Sequence, residues 1–396
     1  MWRRQLPAWS PLTVRALAEG AAASSKAGRH VASLDAHLRA EYGASLVQLT
    51  ESGTVALALA MLAGAPEASR PKVAMPAWAC YDLMTAADIA DAEVILYDLD
   101  PVTLAPASGS FAEALGLRPT SVVVAHWFGL PVLLAPMLAA ARKAGVTFIE
   151  DAAQGVGGSV AGRPLGSLGD FGILSFGRGK GRAGGRGGAV LANNANAVAR
   201  LQRVAHRIAP TDTGKRGLLA LAAQWALGRP WAYAAPSSIR SLRIGETIYH
   251  PPSPIREIPE WAAAVVNALW LRSAREGAAR RVAAAHWAHV LSRNTSMSAF
   301  AESAGCVAGW LRYPVLMNDS TALLNADARR LGVMPGYGKL LADLPLTPGR
   351  LANDGPWPGA SELASRLRTL PTHSLLRAGD FAAIGQLLGR NERRRS

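Results

Sequence analysis

Between Val73 and about Asn194 short apolar runs alternate with Ala/Leu-rich stretches, and that alternation limits the chain to a parallel sheet with helical crossovers. Val122-Val-Val-Ala-His126 reads as a strand, Pro131 to Lys143 as a helix, and Gly145 ends it as a left-handed C-cap would. Val146 to Ile149 is a second buried strand that delivers Asp151 to its carboxyl end, and Phe171 to Phe176 is a third that delivers Ser175 and then Lys180. Ligands of open α/β sheets bind at those strand ends. The three residues therefore converge in expectation although 29 positions separate the first from the last.

Their chemistry is complementary. An enzyme that uses pyridoxal 5′-phosphate (PLP) needs an amine to hold the cofactor covalently, a carboxylate for the pyridine nitrogen, and donors for the phosphate. Lys180, Asp151 and Ser175 supply one of each. The run Gly177-Arg-Gly-Lys-Gly-Arg182 admits simpler readings. A Walker loop requires Ser or Thr directly after its lysine, and Gly181 stands there. A solvated basic loop between two strands remains open for the run taken alone. Upstream, Ser52-Gly53-Thr54 reads as a helix start, which is either an ordinary cap or an anion site made by exposed N–H groups and the helix dipole.

The wider pattern resembles the DegT/StrS family of PLP-dependent sugar aminotransferases. Glu150-Asp151-Ala-Ala-Gln154, Gly162 through Gly166 to Gly169-Asp170, and Ser175-Phe176 through Lys180 to Gly185-Arg-Gly-Gly188 follow the family's motifs in order and spacing. Ser52-Gly53-Thr54, Met75-Pro-Ala-Trp-Ala-Cys80, the strand Val94 to Asp100 and the turn Leu370-Pro-Thr-His373 are similar to further family segments. The resemblance implies fold type I, an α/β architecture whose large PLP-binding domain holds a mostly parallel seven-stranded sheet beside a smaller C-terminal α/β domain. We expect the large domain at 1–255, with an N-terminal helical segment and an atypical stretch over 203–255, and the small one at 256–396. It also implies a homodimer with active sites at the subunit boundary.

In site terms, the resemblance makes Lys180 the catalytic residue, holding the cofactor and carrying a proton. Asp151 would face the ring nitrogen, Gln154 the ring's phenolic oxygen, and Ser175 with Gly53 and Thr54 the phosphate. Cys80 occupies the position where relatives stack an aromatic ring on the cofactor, so Trp78 or Tyr81 could substitute. The implied reaction moves an amino group from L-glutamate to a nucleotide-linked keto sugar, for polysaccharide or glycosylated-metabolite synthesis. Two alternatives stand beside it. Cys80, Arg186 and the absence of the family's Asn-rich loop after Arg203 suit a PLP-fold scaffold subunit, and another PLP sugar chemistry fits the same fold. His126 ends a strand and is open between a core role and a site role.

Charge and composition narrow the partners. The net charge of +14 is spread from Arg3 to Arg395 without a docking motif, so no nucleic-acid partner is expected. Two cysteines cannot frame a disulfide scaffold, and the default compartment is the cytoplasm. His286 and His289 lack companions at ligand spacing, and no metal is expected. The apolar piece from Gly217 to Leu227, with Lys215-Arg216 before it and Trp225, Trp231 and Tyr233 along it, is too short to span a bilayer. It could pack on the core, meet a dimer partner, or make weak peripheral membrane contact over 217–235.

Overall fold

The structure is a computed structural model that describes residues 3–23, 28–211, 216–234, 248–292, 294–345 and 349–393. Its strands in chain order are β1 (Leu46–Thr50), β2 (Lys72–Pro76), β3 (Glu93–Tyr97), β4 (Ser121–Ala125), β5 (Thr147–Asp151), the two-residue β6 (Ser159–Val160) and β7 (Arg163–Pro164), β8 (Phe171–Ser175) and β9 (Gly188–Ala192). Seven of them form one sheet in the order β1-β9-β8-β5-β4-β2-β3. The pairs β5 with β8, β4 with β5, β2 with β4 and β2 with β3 are parallel, while β9 runs antiparallel to both β8 and β1. Every residue of β4, β5, β8 and β9 is buried, as expected of strands covered on both faces and written as unbroken apolar runs.

The crossovers are the helices Gly53–Gly64, Asp82–Ile89, Ser108–Gly116 and Ala135–Ala144. The last begins later than Pro131 because residues 131–134 remain irregular ahead of Pro136 in its first turn. Gly145 does cap it, with φ of 70° and its N–H bonded to the carbonyls of Ala141 and Arg142. Helix Gly53–Gly64 is almost entirely buried, which its all-round apolar sequence requires. On the far side of β1 and β9, the helices Val14–Ala23 and Arg29–Tyr42 pack on Glu260–Ala268, sharing a second apolar core with Leu174, Phe176 and Leu191. The Glu260 carboxylate tightens that junction by accepting the N–H groups of His30 and Val31.

The C-terminal part adds a four-stranded antiparallel sheet of β10 (Met297–Ala299), β12 (Tyr313–Met317), β14 (Leu367–Leu370) and β13 (Met334–Pro335). Between β10 and β12, β11 (Cys306–Val307) pairs with β6 instead. The helical stretch after Pro259 breaks at Leu269 into Glu260–Ala268 and Trp270–Leu291. The helix read from Leu323 shrinks to Ala326–Arg330, since Leu323 itself sits at φ of 58° and the Asn325 side chain caps the shorter piece. Likewise the stretch Ala360 to Leu370 is helical only to Arg366, its last four residues being β14. One continuous apolar cluster joins the central sheet to this part through Trp78, Trp287, Trp310 and Tyr337.

Candidate active site

Parallel register lines up the carboxyl ends of three adjacent strands. Ala125 lies opposite Asp151, and Asp151 opposite Ile173, two residues before Ser175. The pocket they border is lined by Gly53, Thr54, Cys80, His126, Asp151, Gln154, Ser175, Lys180 and Tyr337, among others. All seven residues expected to touch the cofactor or its phosphate therefore meet in one place. The pocket holds about 510 Å³ when its open mouth is counted with it.

The anion end is built by a close approach. Ser52 caps the helix that begins at Gly53, its side chain accepting the N–H of Val55 at 3.1 Å, and the first N–H groups of a helix have no intrahelical partner. A Cβ on Gly53 would fall 2.7 Å from Cβ of Ser175, so only glycine lets the helix start lie against the end of β8. Gly188 is equally constrained, since a side chain there would meet the Gly53 nitrogen at 2.5 Å. The result places a serine hydroxyl, a threonine and the first amides of the helix around one spot, an arrangement suited to a phosphate.

Asp151 and its neighbour Glu150 alternate across β5 and do different work. The Asp151 carboxyl faces the pocket, where Oδ1 accepts the N–H of Ala153 at 2.9 Å. Burial pushes this carboxyl above its ordinary value, opposed by the Ala153 N–H and by the Lys180 ammonium. Glu150 is wholly buried and organises the glycine-bearing segment behind the sheet. Its Oε1 accepts from Gly166 N and His126 Nε2, and its Oε2 from Leu168 N and Gly169 N. Burial alone would raise Glu150, but the His126 hydrogen bond and the backbone donors outweigh it and hold the carboxyl below its ordinary value. His126 Nδ1 accepts the N–H of Val132 at 3.0 Å, so its ring proton lies on Nε2 and points at Glu150. The histidine is thus a pocket wall whose two nitrogens are both committed.

Lys180 rides on a closed loop. Phe176 N and Gly184 N bond to Gly187 O and Phe176 O, and Gly177 bridges to Gly185. Arg182, two residues on, turns inward and anchors the loop: Nη2 reaches both carboxylate oxygens of Glu41, and its guanidinium carbon sits 3.4 Å from the Trp270 ring centroid. Arg186 pairs with Glu51 at 3.0 Å. Glu41, Trp270 and the inward Arg182 carry no local motif, and sequence reasoning did not find them.

The remaining wall differs from expectation. Trp78 is fully buried and donates Nε1–H to the Tyr337 carbonyl at 2.7 Å, so it packs behind the pocket instead of lining it. Tyr81 does not line the pocket either, whereas Tyr337 does. Cys80 is where the sequence put it, and burial, with Asp82 nearby, pushes its thiol up to about 12. Gln154 is held at both ends, Oε1 accepting the Phe128 N–H at 2.9 Å and Nε2 donating to the Tyr337 hydroxyl at 2.6 Å.

An amine, a buried carboxylate and a phosphate cradle on converging strand ends match the requirements of PLP, and the fold is that of the fold-type-I PLP-dependent transferases. The chain belongs to the DegT/DnrJ/EryC1/StrS aminotransferase family, whose sequence profile matches residues 12–215. Similar solved structures include the aminotransferase TlmJ from Streptoalloteichus hindustanus, with a TM-score of 0.75, 23% identity and full coverage of both chains. DesI with its TDP-sugar product reaches a TM-score of 0.77 at 20% identity, covering 100% of this chain and 94% of the other. Among curated relatives, the L-glutamine:2-deoxy-scyllo-inosose aminotransferase of Streptoalloteichus tenebrarius is 34% identical over 110 residues, 28% of this chain and 26% of that protein. The UDP-N-acetyl-3-dehydro-alpha-D-glucosamine 3-aminotransferase of Acidithiobacillus ferrooxidans is 33% identical over 123 residues, 29% and 33% of the two chains. These two alignments span about a quarter to a third of the relatives' length.

Proposed function

We propose that this chain is a PLP-dependent aminotransferase that passes an amino group, from L-glutamate in the first instance, to a keto sugar carried on a nucleotide. The observation that carries the reading is the convergence of Lys180, Asp151, Ser175 and the Gly53-Thr54 helix start on one pocket. PLP, when bound, supplies an electron sink that stabilises negative charge on the carbon losing a proton. Lys180 binds that cofactor and shuttles a proton at its Nζ. Asp151 would keep a proton on the ring nitrogen through a charge-assisted hydrogen bond to its buried carboxylate. Ser175, Thr54 and the amide of Gly53 hold the phosphate end.

The nucleotide-linked substrate is favoured over a bare cyclitol by a second cleft beside the lysine loop. It encloses about 560 Å³ counting its mouth and is lined by Arg178, Arg186, Gln224 and Trp261. The Arg178 guanidinium suits a diphosphate, with Arg186 beside it already paired to Glu51. The further proposals follow the family: a homodimer in the cytoplasm, a division into units 1–255 and 256–396 with helix Glu260–Ala268 lying back on the larger one, and no nucleic-acid partner.

Incubating PLP-loaded protein with L-glutamate alone should release about one equivalent of 2-oxoglutarate per site, and a nucleotide-linked keto sugar should make the release continuous. L-glutamine belongs in the donor panel because a relative is named for it. A protein that binds PLP and releases no keto acid from any donor would favour the scaffold reading.

A further inference from the structure

We infer that Tyr337, delivered from the C-terminal part of the chain, is the binding residue that donates a hydrogen bond to the phenolic oxygen of the bound cofactor, and that Gln154 acts through it as a positioning residue. The inference rests on the PLP reading of the pocket and reassigns a contact expected of Gln154.

Three observations converge. First, the Gln154 amide is pinned between Phe128 N–H and the Tyr337 hydroxyl, 183 positions away in sequence. Because Nε2 donates to the phenol oxygen, the phenol's own proton is left to point elsewhere, and a tyrosine hydroxyl has one donor and can accept at the same time. Among the described residues no protein acceptor takes that proton, and the hydroxyl's residue lines the pocket. Second, the ring is immobilised. Its backbone carbonyl holds the Trp78 indole, its ring stacks on Phe128 at 6.1 Å and 19°, and Trp78 lies 5.1 Å away. A donor fixed in this way loses little entropy on meeting a ligand. Third, burial, followed by the neighbouring Cys80, holds the phenol well above its ordinary value, so it remains a donor throughout the working range.

The arrangement also ties pocket occupancy to the C-terminal part. Tyr337 follows β13 in the second sheet, and Gly336 N bonds to Leu367 O of β14. A ligand that accepts the phenol's hydrogen bond therefore links the two sheets through the pocket wall.

The test uses the full chain stripped of cofactor and titrated with PLP while tryptophan fluorescence is read, since Trp127 lines the pocket. Tyr337→Phe keeps the ring and should bind PLP roughly tenfold more weakly, the size of one hydrogen bond. The 3-deoxy analogue of PLP, which lacks the phenolic oxygen, should bind wild type and Tyr337→Phe equally. Gln154→Met should weaken PLP in wild type and add nothing in the Tyr337→Phe background, and Gln154→His, which can still donate, should recover most of the loss. Equal PLP binding by wild type and Tyr337→Phe overturns the inference. So does a loss on Tyr337→Phe that persists with the 3-deoxy analogue, or full additivity with Gln154→Met. Wild type that fails to bind PLP at all would instead overturn the PLP reading, and the two failures are told apart by that first titration.

Discussion

Replacing Glu150 by glutamine isolates what a single buried charge does for the site's framework. The carboxylate is fully buried and accepts four hydrogen bonds, two at each oxygen, from Gly166, Leu168, Gly169 and His126. Glutamine keeps the shape but turns one oxygen into an NH₂ that must face two donors. If that end meets Gly166 and His126, the histidine cannot yield by changing tautomer, because Nδ1 already accepts the Val132 N–H. Two charge-assisted bonds are lost and the opposed donors are left without acceptors, so the cost should reach about 3–5 kcal/mol. With an unfolding entropy of roughly 2.1 cal/mol/K per residue, a chain of 396 residues loses about 1 °C per 0.8 kcal/mol, and Tm should fall by roughly 4–6 °C. The pH dependence carries the same signature. Glu150 is held below its ordinary value near 4.5, so its contribution is complete above that value and is lost as pH falls through the lower folded one. The gap in Tm between wild type and Glu150→Gln should therefore narrow at low pH. Calorimetry from pH 7 downward checks both statements, and a Tm loss under about 1 °C at pH 7 would refute the role given to this carboxylate.

Borohydride reduction of PLP-loaded protein should fix the label on the Lys180 peptide, and Lys180→Ala should lose both the visible band and turnover; label on another lysine would move the site. Asp151→Asn should lose roughly 10²-fold or more in rate while still folding, since a preorganised charge is removed without changing shape; turnover near wild type would give the carboxylate another task. Weak peripheral membrane contact over 217–235 is proposed from the exposed Leu219, Leu227 and Trp231, and sedimentation with anionic vesicles should be salt-sensitive and reduced by Trp231→Ser. Protein that stays in the supernatant at low salt would leave this stretch a packing element, consistent with Leu221 buried against the loop at Gly185. Lys215 and residue 235, at the ends of that stretch, lie outside the described residues, as does most of Gly245 to Tyr249. Among the described residues no helix is long and apolar enough to cross a membrane.

Legibility followed the range of the interactions involved. The sheet could be read because each parallel strand is buried on both faces and writes itself as a local apolar run, and Asp151, Ser175 and Lys180 follow such runs directly. Their convergence then required only that strands be parallel and in register. The division of labour between Glu150 and Asp151 was also present in the sequence, as adjacent residues of one strand must point to opposite faces. Ending the strand at Ile149 missed that, since the pairing of β5 with β8 extends through both residues. Helix ends were read too generously wherever the stop came from tertiary context, as at Arg366, after which β14 pairs with β12 and β13. The pocket wall was the least legible part. Nothing near Cys80 announces that a ring 257 positions downstream, Tyr337, lines the same pocket. Trp78 and Tyr81 were nearer in sequence, yet Trp78 spends its only donor on the Tyr337 carbonyl. Trp78 lies fully buried behind the pocket, and its bond to the Tyr337 carbonyl helps hold that tyrosine in the wall.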